Sequence, residues 1–275
     1  MKILVAGKNG QVALSLLDLN SDDVEIVAFG RPELDITYKS SIERALDTIK
    51  PDIVVNAAAY TAVDKAEDEP QNAFSINRDG PKNLAETTAT RDLPFIHIST
   101  DYVFTGNKEG AYVETDPVGP LSVYGLSKLE GEWAVEAANK NHIIFRTAWV
   151  HSPYGNNFVK TMLRLAESRD EISVVSDQYG TPTRAAFIAQ SIINVCHQIL
   201  SPTPPENWRG IFHLVEDKKM SWAQFAEDIF AQSKENGEPF AKVNYITTAQ
   251  YPTKAKRPQN SVLCNQKFKN TFVKD

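Results

Sequence analysis

Lys2-Ile3-Leu4-Val5-Ala6-Gly7-Lys8-Asn9-Gly10-Gln11-Val12-Ala13 opens the chain, and its reading decides the fold. Residues 2–6 are a short apolar, β-rich run, the pattern of a buried strand. Gly7 and Gly10 punctuate the turn that follows, and Leu14, Leu17 and Leu19 then recur at helical spacing. The unit is therefore strand, Gly-rich turn, helix. Gly7 and Gly10 allow a tight turn and the close approach of a pyrophosphate to the first helical N–H groups, while Ala13 keeps helix and strand close. Taken alone, a Gly-x-x-Gly is weak evidence and also fits an ordinary turn. Its place after the first strand of an alternating chain favours a cofactor site.

The alternation is sustained. Strands are expected at 24–29, 52–55, 93–99 and 142–146, separated by helices at 40–49, 71–90 and 124–140. Such a pattern calls for an α/β fold, a right-handed doubly wound parallel sheet of Rossmann type. Residues 1–150 then form an NAD(P)-binding domain, and 151–275 mainly a smaller substrate-binding region whose 184–200 helix packs back on the first. In that region helices are expected at 156–167, 187–200 and 221–233 and strands at 172–175, 211–215 and 243–247, with a tail from 257 of little helical pattern.

Composition narrows the function classes. A chain of 275 residues with 42% hydrophobic and 23% charged content matches a globular protein with a sizeable core. A formal charge of −6 argues against a dedicated nucleic-acid binder. The N-terminal apolar run is too short for a signal peptide, and no stretch reaches the roughly 20 apolar residues of a membrane helix. Two cysteines far apart in sequence suggest a reducing, cytoplasmic setting. A Gly-x-Ser-x-Gly elbow, a P-loop and metal-ligand histidine spacing are all missing from the sequence.

The candidate site gathers at the C-terminal ends of the strands. Arg31 follows the second strand, where an acidic residue would hold a ribose 2′-hydroxyl. It is read either as a partner for a 2′-phosphate or as a solvated loop charge. Asp35 and Ile36 come next and are placed near an adenine. After the third strand, the small residues Ala57, Ala58 and Ala59, then Tyr60 and Thr61, leave room for a ligand. Thr100 and Asp101 end the fourth strand, where a hydroxyl is placed for a substrate carbonyl or for a helix cap. Trp149 ends the fifth, at the rim of the pocket or in the core, and His97 reads as a core histidine. Tyr124 is the only one of nine tyrosines with a lysine four residues on, Lys128. On a helix that spacing sets phenol and ammonium on one face. The cation lowers the cost of phenolate, which suits a proton donor in carbonyl reduction.

Together these stretches resemble the extended short-chain dehydrogenase/reductases, and within them the dTDP-4-dehydrorhamnose reductases. The resemblance rests on GKNGQV (7–12), VVNAAAYTAVDKAE (54–67), STDYVF (99–104), ETD (114–116), YGLSKLEGE (124–132), FRTAWV (145–150), GNNFVKTMLRLA (155–166), DQYGTPT (177–183) and RPQNSVL (257–263). It implies NADPH- or NADH-dependent reduction of a nucleotide-sugar C4 ketone, with Thr100, Tyr124 and Lys128 as catalytic residues. Gly10, Gln11, Val12, Asp35, Ile36, Ala59, Tyr60 and Thr61 would contact the coenzyme, with Lys128 on the nicotinamide ribose. Asp101, Trp149, Val63 and Asn157 match substrate-contacting positions. Some members bind magnesium through acidic residues at a dimer interface. This chain has Ser15 where that set opens and Arg-Ala-Ala after Thr183, so any homodimer is expected not to be magnesium-bridged. The chain also ends shortly after the RPQNS segment, without the final helix usual in the family. A dehydratase or epimerase of the same superfamily and a catalytically silent regulatory subunit are the alternatives. Thr100 is followed by one carboxylate rather than an acidic pair, against a dehydratase. The intact Thr, Tyr and Lys set speaks against a silent subunit.

Overall fold

The computed structural model describes residues 1–273. In chain order the first half carries β1 (Lys2–Ala6), α1 (Gln11–Leu17), β2 (Glu25–Phe29), α2 (Lys39–Ile49), β3 (Ile53–Asn56), α3 (Val63–Ala66), α4 (Pro70–Phe74), α5 (Gly80–Ala89), β4 (Phe95–Thr100), α6 (Val123–Ala138) and β5 (His142–Thr147). The second half adds β6 (Val150–His151), α7 (Phe158–Ala166), β7 (Glu171–Val175), β8 (Tyr179–Gly180), β9 (Thr183–Arg184), α8 (Ala185–Ile199), β10 (Gly210–His213), β11 (Met220–Ser221), α9 (Trp222–Glu235), β12 (Lys242–Ile246) and α10 (Gln266–Phe272).

Six strands pair in the order β2-β1-β3-β4-β5-β10, all parallel. Every residue of β3 and β5 is buried, because helices cover both faces and a strand so covered has no solvent side to make polar. Helices α1, α8 and α10 pack on one face, and α2, α5 and α6 on the other. The chain runs outward from β1 to β2 and then returns to β3 on the far side of β1. Strand order reverses at that point, so the loops after β1 and β3 diverge and leave a crevice.

Two expectations are corrected. Residues 211–215, expected in the smaller region, supply β10, the sixth strand of the main sheet, with Phe212 in register with Phe145. The tail, expected to lack helix, forms α10, whose Phe268 and Phe272 pack on Phe145 and Phe212 at 5.8 and 5.1 Å between ring centroids. A seven-residue helix with two phenylalanines four apart is too short to show a period, and its stability comes from the core it touches. Lys274 and Asp275, the end of the 151–275 region, lie outside the described residues. A smaller cluster packs α7 and α9 on the β7–β12 pair, around Met162, Ile172, Phe225 and Phe230.

The helix expected over 71–90 is interrupted. A π-helical turn, Ser75–Asp79, joins α4 to α5, a device common at functional sites because it re-aims one side chain. That side chain is Asn77. Its Oδ1 accepts from Tyr60 N (2.8 Å), and its Nδ2 donates to Tyr60 O (3.0 Å) and Ser127 Oγ (3.0 Å). The loop after β3 is thereby tied to α6. No helix among the described residues is long and apolar enough to cross a membrane.

Candidate active site

Helix α6 brings Tyr124 and Lys128 to the end of β4. Ser122 caps it, accepting from Gly125 N at 3.1 Å. Gly125 is required for the approach, since a Cβ there would lie 2.4 Å from Tyr102 O. Thr100, Tyr124 and Lys128 are all buried and line one cleft of about 620 Å³ together with Asp101, Gln11 and Trp149. Thr100 Oγ1 donates to Asp101 Oδ1 (2.9 Å) and accepts from Tyr102 N (3.2 Å). Asp101 Oδ2 is buried without a hydrogen-bond partner among the described residues. Burial pushes the Asp101 carboxyl up to about 6, opposed by the nearby Ser261 hydroxyl, which is outside hydrogen-bond geometry, and by that of Thr100.

Burial likewise pushes the Tyr124 phenol well above its ordinary value, opposed by the Thr100 hydroxyl. Lys128 Nζ donates to Ile98 O at 2.6 Å. Its amine is pulled down to about 8 by burial, opposed by the Glu132 carboxylate. Glu132 does not touch Lys128 directly. It accepts from Arg146 Nη2 (2.6 Å), Arg146 Nε (3.0 Å) and Ser99 Oγ (2.5 Å). Tyr124, Lys128 and Glu132 stand four residues apart on one face of α6, and the last of them clamps that helix to β4 and β5. A phenol donor, a hydroxyl and an amine, all buried, thus line one cleft, an arrangement that can deliver a proton to an oxygen gaining negative charge.

The Gly-rich turn borders the same cleft and a second cavity of about 310 Å³ beside it. Gly7 takes φ +104°, and a Cβ on it would come within 2.7 Å of Ala58 N. Only glycine lets the turn and the loop after β3 approach so closely. Gly10 caps α1 without a side chain, so the first helical N–H groups are left for a ligand. Gly10, Gln11 and Val12 line the cleft with Ala57, Ala59, Thr61 and Val63. Gly7, Arg31, Asp35, Ile36 and Ala58 line the second cavity, where Lys8 also sits. Arg31 Nε is paired with Asp35 Oδ2 (2.8 Å) and Lys8 Nζ with Glu33 Oε2 (2.7 Å). A 2′-phosphate bound to Arg31 would compete with Asp35.

Two of the expected site residues stand just behind the cavity walls. Asn157 is outside the lining of both cavities. It caps α7, accepting from Lys160 N (3.1 Å), and donates to Gln11 Oε1 (2.9 Å). Gln11 Nε2 in turn donates to Val150 O (3.2 Å), so Asn157 is bonded to a residue that lines the cleft and follows two others, Gly155 and Asn156, that do. Tyr60 is outside the lining too. Asn77 holds its backbone, and its hydroxyl donates to Glu69 (3.1 Å).

At the rim, Trp149 stacks on Trp222 with ring centroids 3.4 Å apart and planes 7° from parallel. Its φ of +49° is a strained value for so bulky a side chain. A Cβ on Gly180 would meet the indole at 2.2 Å, so the ring is held between β8 and the start of α9. Trp222 and Arg257 both line the cleft and were not among the expected site residues. Arg257 donates to Tyr102 OH (3.1 Å) and Asp64 Oδ2 (2.6 Å). Each lies more than 70 residues from the motif it completes, beyond any local spacing signal. Ser15 is buried on α1, and Arg184 Nη2 pairs with Glu216 (2.6 Å). Among the described residues, no three His, Cys, Asp or Glu side chains are grouped to hold a metal.

A Gly-rich turn at a switch point, beside a buried Tyr-x-x-x-Lys pair, defines the extended short-chain dehydrogenase/reductase architecture. The chain matches the RmlD substrate binding domain family over residues 1–275 and belongs to it. It is 50% identical over 272 residues to a dTDP-4-dehydrorhamnose reductase of Sinorhizobium fredii, covering 99% of this chain and 92% of that protein. To the dTDP-4-dehydrorhamnose reductase of Escherichia coli it is 40% identical, again over 99% of this chain and 92% of the relative. A crystal structure of a dTDP-4-dehydrorhamnose reductase from Bacillus anthracis, in complex with NADP, superposes with a TM-score of 0.91 at 34% identity, covering 99% of this chain and 94% of that one.

Proposed function

We propose that the chain reduces the C4 ketone of dTDP-6-deoxy-L-lyxo-4-hexulose to dTDP-L-rhamnose, using NADPH or NADH. The observation that carries this reading is the burial of Tyr124, Lys128 and Thr100 in one cleft with the Gly-rich turn at its side. A dinucleotide suits the two adjoining cavities. The Gly7–Ala58 approach and the uncapped start of α1 offer backbone to a pyrophosphate, and Lys8 and Arg31 offer cations at the outer end. When bound, the coenzyme supplies the hydride.

The protein's own work is to position the sugar and move a proton. Tyr124 gives its phenolic hydrogen to the C4 oxygen and is left as phenolate. Burial alone disfavours that anion, so a neighbouring cation is needed, and the Lys128 ammonium supplies it. The Thr100 hydroxyl turns from Asp101 to hold the carbonyl oxygen. Asp101, with an unpartnered buried oxygen, receives a sugar hydroxyl. Trp149, fixed by Trp222 and Gly180, forms the wall against which the hexose lies.

The test is oxidation of NADPH or NADH by the purified protein, given enzymatically generated dTDP-4-keto-6-deoxyglucose and its epimerase. Loss of reduced coenzyme with formation of dTDP-L-rhamnose is expected. No oxidation with either coenzyme would sink the proposal.

A further inference from the structure

Behind Lys128 lies a buried polar chain that the proton transfer above does not use. Asn56 ends β3 and His97 lies within β4, and both are fully buried. Ala58 N donates to Asn56 Oδ1 at 3.1 Å, Asn56 Nδ2 lies 3.1 Å from His97 Nδ1, and His97 Nε2 lies 3.5 Å from Lys128 Nζ. The directions of these bonds follow from the first. A backbone N–H can only donate, so the Asn56 carbonyl oxygen must face Ala58 and its NH₂ must face the ring. Nδ1 is then an acceptor, and a neutral His97 carries its proton on Nε2, aimed at Lys128.

A lysine ammonium has three donors and no acceptor. Facing an N–H, it is opposed; as an amine, it accepts. Charging Lys128 therefore sets two donors against each other somewhere along this chain, at Lys128 if the tautomer stays or at Asn56 if it changes. Among the other groups near the pair the Glu132 carboxylate favours the ammonium through space, but none takes the place of an acceptor on the ring. Glu132 on α6 is engaged by Arg146 and Ser99, Tyr124 offers a hydroxyl, the Ile98 carbonyl already accepts from Nζ, and Asp101 bonds Thr100. His142 acts on His97 in the same sense as Lys128, holding it neutral, though burial is the largest cause.

We propose that Asn56 and His97 are positioning residues that fix an Nε2–H imidazole against Lys128 and so set the upper limit of the pH range in which Lys128 is charged. This rests on the proton-donor reading of Tyr124 and Lys128, and it specifies what regulates that pair. Below the limit the ammonium stabilises the Tyr124 phenolate, and above it the cation is lost and turnover falls.

The tautomer is measured directly by ¹⁵N NMR of the coenzyme-free protein, with the His97 signals assigned through His97→Gln. A pyrrole-type Nε2 and a pyridine-type Nδ1 are expected. Asn56→Asp offers the ring an acceptor in place of a donor. It should move the proton to Nδ1, turn Nε2 toward the ammonium as acceptor, and raise the alkaline limb of kcat by roughly one pH unit. A wild-type ring protonated on Nδ1 overturns the proposal. So does a variant in which the tautomer changes and the limb stays, or the limb moves and the tautomer stays. Should Asn56→Asp not fold, the wild-type spectrum alone decides. Absence of any coenzyme oxidation would instead defeat the proposed reaction, while the spectrum of the free protein remains readable.

Discussion

The end of the cleft at β4 and α6 and the end at β2 solve the same problem, holding charge near a ligand, in opposite ways. Tyr124, Lys128 and Thr100 are buried, and the helix that carries two of them is clamped by the buried Glu132–Arg146 pair, whose side chains are 0% and 3% exposed. Arg31 and Lys8 stand at the surface and are paired with Asp35 and Glu33, with the Arg31 side chain 64% exposed. Burial makes each charge at the first end costly and therefore specific. Exposure makes the second end cheap to rearrange. The inner end is fixed by burial, and the outer end is free to exchange its partners.

The comparison breaks most directly at the phenol. Tyr124→Phe removes the proposed proton donor while keeping the ring that packs edge-on against Tyr102 at 5.4 Å. Turnover should fall by about 10²- to 10⁴-fold, while coenzyme binding followed by fluorescence titration is unchanged. Normal turnover in this variant would remove Tyr124 from the chemistry.

Glu132 tests the clamp. In Glu132→Ala the Arg146 guanidinium loses its counter-ion in a site where Nη1 already has no partner among the described residues and the group lies over the Phe104 ring. Unfolding in urea should show a loss of about 3–5 kcal/mol. A loss below about 1 kcal/mol, the range of an exposed pair, would mean that the inner end is no more rigid than the outer one.

A third change acts on the wall between the two ends. Gly180→Ala places a methyl group where the Trp149 indole lies. Displacing the ring costs roughly 1–3 kcal/mol, expected as a higher KM for the sugar nucleotide with the KM for coenzyme unaffected. An equal rise in both would show that the indole does not face the sugar.

Local chemistry decided how much of this was legible in sequence. The strand–turn–helix at Lys2–Ala13 and the four-residue step from Tyr124 to Lys128 are short-range patterns, and the alternation of elements fixes a parallel sheet. Spacing alone says nothing of Trp222 reaching Trp149 or Arg257 reaching Tyr102, because those contacts depend on how distant elements pack. The same limit explains β10. Gly210–His213 reads as one more short apolar run, and only the open edge of β5 determines where it joins. Asn157 shows what a motif leaves out. Its motif placed it at the substrate, but the side chain is taken by the cap of α7 and by Gln11. His97 is fully buried, as a core histidine should be, and its ring lies between Asn56 and Lys128.

The smallest effect is expected at the outer end. Asp35→Asn keeps an acceptor for Thr37, which now bonds Asp35 Oδ1 at 2.7 Å through its hydroxyl, and removes the charge that holds Arg31. An exposed pair of this kind contributes up to about 1 kcal/mol. Freeing the guanidinium should therefore lower the KM for NADPH by at most about fivefold, and leave the KM for NADH, which has no 2′-phosphate, where it is. A larger gain would mean that Asp35 restrains Arg31 as firmly as Glu132 restrains Arg146, and that the two ends are built alike. Equal changes for both coenzymes would place Arg31 away from the 2′-position, leaving Lys8 as the cation nearest to it.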